Sequence, residues 1–280
     1  MVMPVDMDDG AHPAASASAG DLVALARYPI ADLASAAAQE LVAQYRRQLA
    51  ETGVALLRGF LTPQATAAMA AEARAAAPAA YFCDNTHNVY LEPDDGAFPP
   101  DHPRRRRLRT IVGSVAYDLL PAGSPLRRLY NWDNLIEFVR LVLGRPALYR
   151  LADPLGALSI NVFRPGGHHA WHFDETEYTT TIMLQEAEEG GYFEYMPHLR
   201  RPDGGEYGTI SRVLDGDERG VQRLPFTAGT LSLFAGRLSM HRVTEVLGDR
   251  LRLVAVLAFN GKPNVTNSDA VRKLFWGRTR

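Results

Sequence analysis

The chain is poor in several features that would otherwise define it. Cys83 is the single cysteine among 280 residues. No intramolecular disulfide and no thiolate cluster can form, so a disulfide scaffold is excluded and a reducing compartment fits best. Charges of the two signs nearly cancel, at a formal −2, which leaves no overall field to hold a nucleic-acid backbone. No stretch is apolar over the length that spans a bilayer. The opening MVMPVDMDDGAHPAASASAG has acidic residues where a secretory leader has basic ones, and no apolar run. The expectation is a cytoplasmic protein without nucleic-acid or membrane partners. A phosphate-cradling glycine loop, a CxxC pair, a GxSxG elbow and internal repeats are also missing. The one basic block, Arg104 to Arg107, sits in proline- and aspartate-rich sequence and reads as a solvated loop.

What is present supports a sizeable core, because 46% of the residues are apolar. Residues 1–20, rich in Ala, Ser, Gly and Asp, read as a disordered tail. Residues 21–280 read as a single domain in three parts. The first, about 21–145, is a helical layer. Leu41, Val42, Tyr45 and Leu49 recur at helical spacing. GVALLRGFL is a short apolar strand, and Thr62-Pro63 is an N-cap followed by proline before an Ala-rich helix over 65–80. Residues 91–106 are a loop. Leu129, Trp132, Leu135, Ile136, Val139 and Val142 mark another helix, stopped by Gly144 and Pro146. The second part, about 150–262, carries strand-like runs: ALSINVFRP, EYTTTIMLQ, GYFEYMP, TLSLFAG and RLRLVAVLAF. Several short strands at this spacing predict an antiparallel sandwich or barrel supported by the N-terminal helices, so the fold class is mainly β with α. The third part, 263–280, is a C-terminal lid segment.

The chemistry concentrates in GGHHAWHFDETEYTTTIML. His172 and Asp174 are two residues apart, so on an extended strand both side chains face the same way. By itself His-X-Asp is common, and a hydrogen-bonded structural histidine is the strongly favoured reading of it. The distant His241, after a strand and the turn at Ala235-Gly236, completes a set of two histidines and one carboxylate. That set leaves three positions of an octahedral metal open, which suits Fe(II) and O₂ chemistry better than a closed zinc tetrahedron. Arg250 and Arg252 follow. A guanidinium holds a carboxylate bidentately, as the far end of 2-oxoglutarate requires. The two share strand parity, and Arg250 is the first choice; the competing view makes one of them a solvated edge residue.

Taken together, His172-Phe-Asp174, GGYFEY and GTLSLFAGR…MHRV…GDR resemble the Fe(II)/2-oxoglutarate-dependent oxygenase superfamily over about residues 155–260. The wider HHAWHFDETEYTTTIMLQEAEEGGYFEYMP, HNVYLEP, ADPLGALSINVF and the ending KLFWGRT extend the resemblance to bacterial free amino-acid hydroxylases and halogenases. It implies a double-stranded β-helix, or jelly-roll, core, and Fe(II) and 2-oxoglutarate as cofactors. In that group halogenases have glycine in place of the metal carboxylate, which frees a site for halide. Asp174 therefore places this sequence with the hydroxylases.

The same resemblance implies substrate residues: Arg109 for a carboxylate, His169 as a neutral partner, Glu175 for an ammonium and Trp276 over an aliphatic stem. Asp153 is a further pocket candidate. Each has a plainer reading: His168 and His169 as loop residues, Glu175 and Glu177 as a solvated face, Trp276 as a core plug. The implied reaction is hydroxylation of a free, basic amino acid such as lysine, with O₂ consumed and succinate and CO₂ released. The alternatives are a peptide or protein hydroxylase and a non-catalytic metal-binding sandwich.

Overall fold

The helical periodicity around Leu41 to Leu49 is realised in α1 (Ala36–Thr52), which buries Val42, Tyr45 and Leu49 and is capped by Ser35 accepting from the Ala38 N–H. This computed structural model describes residues 18–280. Ala19 is buried and a 3-10 turn spans Gly20–Leu22, so ordered chain begins ahead of the boundary expected for the tail. Residues 1–17 of that expected tail lie outside the described residues. After α1 come β1 (Val54–Leu57), α2 (Pro63–Ala76), β2 (Tyr81–His87) and β3 (Leu108–Val115). Thr62 caps α2 through its hydroxyl, as its place before proline predicts. The next helices are α3 (Pro125–Tyr130) and α4 (Asp133–Leu143), the latter ended by Gly144 in the left-handed conformation.

The remaining elements are β4 (Tyr149–Arg150), β5 (Leu158–Phe163), β6 (His169–His172), β7 (Thr179–Gln185), β8 (Glu189–Gly190), β9 (Phe193–Met196) and α5 (Tyr207–Leu214). They are followed by β10 (Gln222–Arg223), β11 (Leu231–Phe234), β12 (Met240–Val243), β13 (Val246–Leu247), β14 (Arg252–Leu257), β15 (Phe259–Asn260) and α6 (Asp269–Trp276). Two antiparallel sheets dominate. The larger has the order β1-β11-β7-β14-β5-β3-β2, the smaller β10-β9-β12-β6.

Alternation along the strands builds three apolar layers. Leu158, Ile160 and Val162 of β5 and Leu253, Ala255 and Leu257 of β14 face the helices, where they meet Val42, Leu49, Phe138 and Val139. Each such fully buried side chain contributes about 1.5–3 kcal/mol. The opposite parity fills the space between the sheets: Val54, Leu56, Met183, Phe234 and Val254 pack with Tyr195 of the smaller sheet. Outside the smaller sheet, Trp171, Phe173 and Met240 pack under Val89, Tyr90 and α5 residues Ile210 and Val213. This is the double-stranded β-helix with supporting helices.

One expectation needs correction. The segment 21–145 is not a purely helical layer, because β2 and β3 lie within it and extend the larger sheet. β2 is an edge strand with mostly exposed side chains, so YFCDNTH lacks the apolar alternation that marks a half-buried strand. Among the described residues no helix is long and apolar enough to cross a membrane.

Candidate metal centre and the adjoining cavity

β6 and β12 are neighbours in the smaller sheet, and His172 lies directly opposite His241. Their ring centroids are 4.1 Å apart. Asp174 lies just past the end of β6, yet the chain stays extended, with its N–H donating to Gly236 O at 3.0 Å. The alternation therefore carries through, and Asp174 shares a face with His172. Each histidine donates from Nδ1 to a backbone carbonyl: His172 to Ala170 at 2.8 Å, His241 to Ser239 at 2.9 Å. In the neutral rings this leaves the Nε2 lone pairs free. Both Nε2 atoms point at Asp174 Oδ1, from 3.5 and 3.4 Å. The three side chains are the group that can hold a metal among the described residues.

Electrostatics keep these groups ready as ligands. Burial, reinforced by His241, pushes His172 down to about 4, so it is neutral at physiological pH. Burial opposes a charge on Asp174, but His241 and His172 outweigh it and hold the carboxyl well below its usual range. Asp174 Oδ2 accepts a 2.6 Å hydrogen bond from the Thr179 hydroxyl. On its other side, a Cβ added at Gly236 would sit 1.8 Å from Oδ2, so only glycine fits there. Two imidazoles and one carboxylate on one face fit a divalent iron with open positions.

A cavity of about 380 Å³ adjoins this centre, lined by Met183, Phe193, Leu224, Phe226 and Arg252 among others. Phe193 also stacks on His241 at 5.3 Å. Arg252 is 2% exposed. Its Nε has no hydrogen-bond partner, and burial pushes the guanidinium down to about 9, which leaves it a cation at neutral pH. A buried cation with a spare donor is costly unless an anion meets it; Glu186 in the cavity lining offsets the charge in part, and the Nε donor is left for a further acceptor. Arg250, the first choice of the two, lies elsewhere. It precedes β14 in a turn and is exposed, and its guanidinium caps the carbonyls of Glu186 and Ala187.

The expected substrate residues separate. His169 lies flat on His172, 3.8 Å between centroids, and burial holds it neutral. Trp276 is buried against Ala116 and Leu155, its ring close to Gly156, with its indole N–H unpartnered. Arg109 is not in the cavity: it points out of the sheet and forms a bidentate pair with Asp84, both exposed. Glu175 is exposed, its carbonyl accepting from Arg237. Asp153 is a buried anchor instead of a pocket group, accepting from Leu155, Gly156 and Asn267 N–H groups and from Arg272. His168 bridges Gly166 and Arg109 carbonyls, and Glu177 pairs with Arg145.

Sequence reasoning gave no role to Thr179, nor to His87 and Thr110, which stand beside the histidine cluster. A short side chain on a strand carries no mark of the carboxylate that the fold brings to it.

A family model described as Halogenase D matches residues 37–273. No curated relative matches the chain. Among solved structures, AviO1 from Streptomyces viridochromogenes Tue57 is 17% identical, with a TM-score of 0.54 over 81% of this chain and 97% of that one. A 2OG-Fe(II) oxygenase family oxidoreductase from Burkholderia pseudomallei is 16% identical, TM-score 0.50, over 80% and 92%. The epimerase SnoN from nogalamycin biosynthesis, in complex with Fe3+, alpha ketoglutarate and nogalamycin RO, is 18% identical, TM-score 0.53, over 79% and 83%. These similarities are of fold.

Proposed function

Since this chain belongs to the Halogenase D family of 2-oxoglutarate- and iron-dependent oxygenases and carries an aspartate within its ligand set, we propose that it is a hydroxylase of a free amino acid. The single observation that carries this is Asp174. Its Oδ1 faces both histidine Nε2 atoms and its Oδ2 is held by Thr179, so the carboxylate would take the metal position that halogenases of the resembled group leave to halide.

His172, Asp174 and His241 would hold the iron, and Arg252 would hold the far carboxylate of 2-oxoglutarate. The iron supplies O₂ activation coupled to oxidation of 2-oxoglutarate. The overall reaction balances as substrate C–H, O₂ and 2-oxoglutarate giving substrate C–OH, succinate and CO₂. The protein's residues contribute positioning. Nδ1 hydrogen bonds orient both rings, Thr179 orients the carboxylate, and Met183, Phe193 and Phe226 line the cavity beside Arg252.

The substrate class rests on family likeness and on two remaining positions, His169 beside the metal centre and Trp276 on α6. Charge matching by Arg109 and Glu175 does not support it, because one is paired outside the sheet and the other is exposed. A basic amino acid such as lysine stays the first substrate to test. The experiment is succinate release with Fe(II), O₂ and 2-oxoglutarate against a panel of free amino acids and short peptides. Stimulation by a free amino acid is the expected result; stimulation by peptides alone would overturn the substrate class.

A further inference from the structure

His87 closes β2, and its Nδ1 lies 2.9 Å from the Asn88 carbonyl. A carbonyl only accepts, so Nδ1 carries the proton, and Nε2 of the neutral ring is an acceptor. The Thr110 hydroxyl, 2.7 Å from Nε2, is then the donor. Its oxygen in turn accepts the Ala170 N–H at 3.0 Å. The carbonyl of the same residue, Ala170, receives the Nδ1–H of His172 at 2.8 Å. One series of hydrogen bonds therefore runs from His172 to the backbone of Ala170, and from that backbone through Thr110 and His87 to the Asn88 carbonyl.

We propose that Thr110 and His87 are a positioning pair that sets the orientation of His172 from outside the ligand set. The far end of the series is rigid. Asn88 is fully buried, and its side chain bonds the Glu92 and Arg104 carbonyls and accepts from the Tyr90 N–H. The near end is packed tightly: His169 is stacked on His172, and the His87 ring stands edge-on to both, at 6.0 and 6.2 Å. β6 has β12 as its only sheet neighbour among the described residues. On the side facing β3 it is held by the single bridge at Ile111 and His168 and by the Thr110 hydroxyl. Partners of this kind tune metal affinity because they fix the ligand's tautomer and aim.

The proposal rests on the metal centre proposed above. The test is anaerobic calorimetric titration of the full chain with Fe(II), and separately Co(II) with its ligand-field absorption spectrum, for the wild type, Thr110→Val and Thr110→Ser. Thr110→Val is expected to weaken the metal Kd by about 10–100-fold and to shift the Co(II) bands, and Thr110→Ser to restore both. Wild-type affinity and spectrum in Thr110→Val would overturn the proposal. If Thr110→Val loses its cooperative melt, His87→Phe carries the test, with a weaker Kd expected and an unchanged Kd fatal. Failure of the wild type itself to bind metal would sink the metal centre, a result distinct from failure of the pair.

Discussion

The Thr179 hydroxyl lies 2.6 Å from Oδ2 of Asp174, and this carboxylate fills the space that a side chain at Gly236 would need. Gly236→Ala should expel it, since a Cβ there would lie 1.8 Å from Oδ2. The expected outcome is loss of most Fe(II) binding in a chain that still melts cooperatively, read by calorimetry. Metal affinity and hydroxylation both at the wild-type level in Gly236→Ala would contradict the seat assigned to Asp174.

Arg252 and Arg250 should part clearly. Replacing Arg252 by leucine removes a charge-assisted bond, worth about 1.5–3 kcal/mol, so the apparent KM for 2-oxoglutarate should rise about ten- to a hundredfold. The same change removes a buried cation with an unpartnered Nε, so the metal-free, cosubstrate-free protein should gain stability, by about 1–3 kcal/mol. Arg250→Leu should leave that KM near the wild-type value. Normal cosubstrate affinity in Arg252→Leu would move the clamp elsewhere.

Metal-free protein should lose stability in acid over a defined window. His172 titrates at about 4 when folded, against an ordinary 6.5. Between those values the unfolded chain binds a proton that the folded chain refuses, so stability falls as pH drops through the window. The loss from this group is about 3 kcal/mol. Urea midpoints measured from pH 7 to 4 should show the decline, and His172→Gln should flatten it. An equally steep decline in that variant would contradict the assignment.

Much of this centre is legible in the sequence. The period-2 rule put His172 and Asp174 on one face, and the rule survives although β6 ends at His172. Parity also put Arg250 with Arg252, but parity holds only inside a strand, and β14 begins at Arg252. Arg109 was misplaced for a related reason. With β3 unrecognised there was no alternation to consult, and Thr110, its neighbour, is the residue that faces the histidines. Asp153 could not be assigned because its partner Arg272 lies over a hundred residues away in the chain.

The central claim is hydroxylation that depends on Asp174. Mass spectrometry of each free amino acid, incubated with the protein, Fe(II), 2-oxoglutarate and O₂ in excess chloride, tests it most directly. The account predicts a product heavier by one oxygen, equal in amount to a succinate increment, lost in Asp174→Gly, with lysine the first substrate to examine. A chlorinated product from the unmutated protein would contradict it.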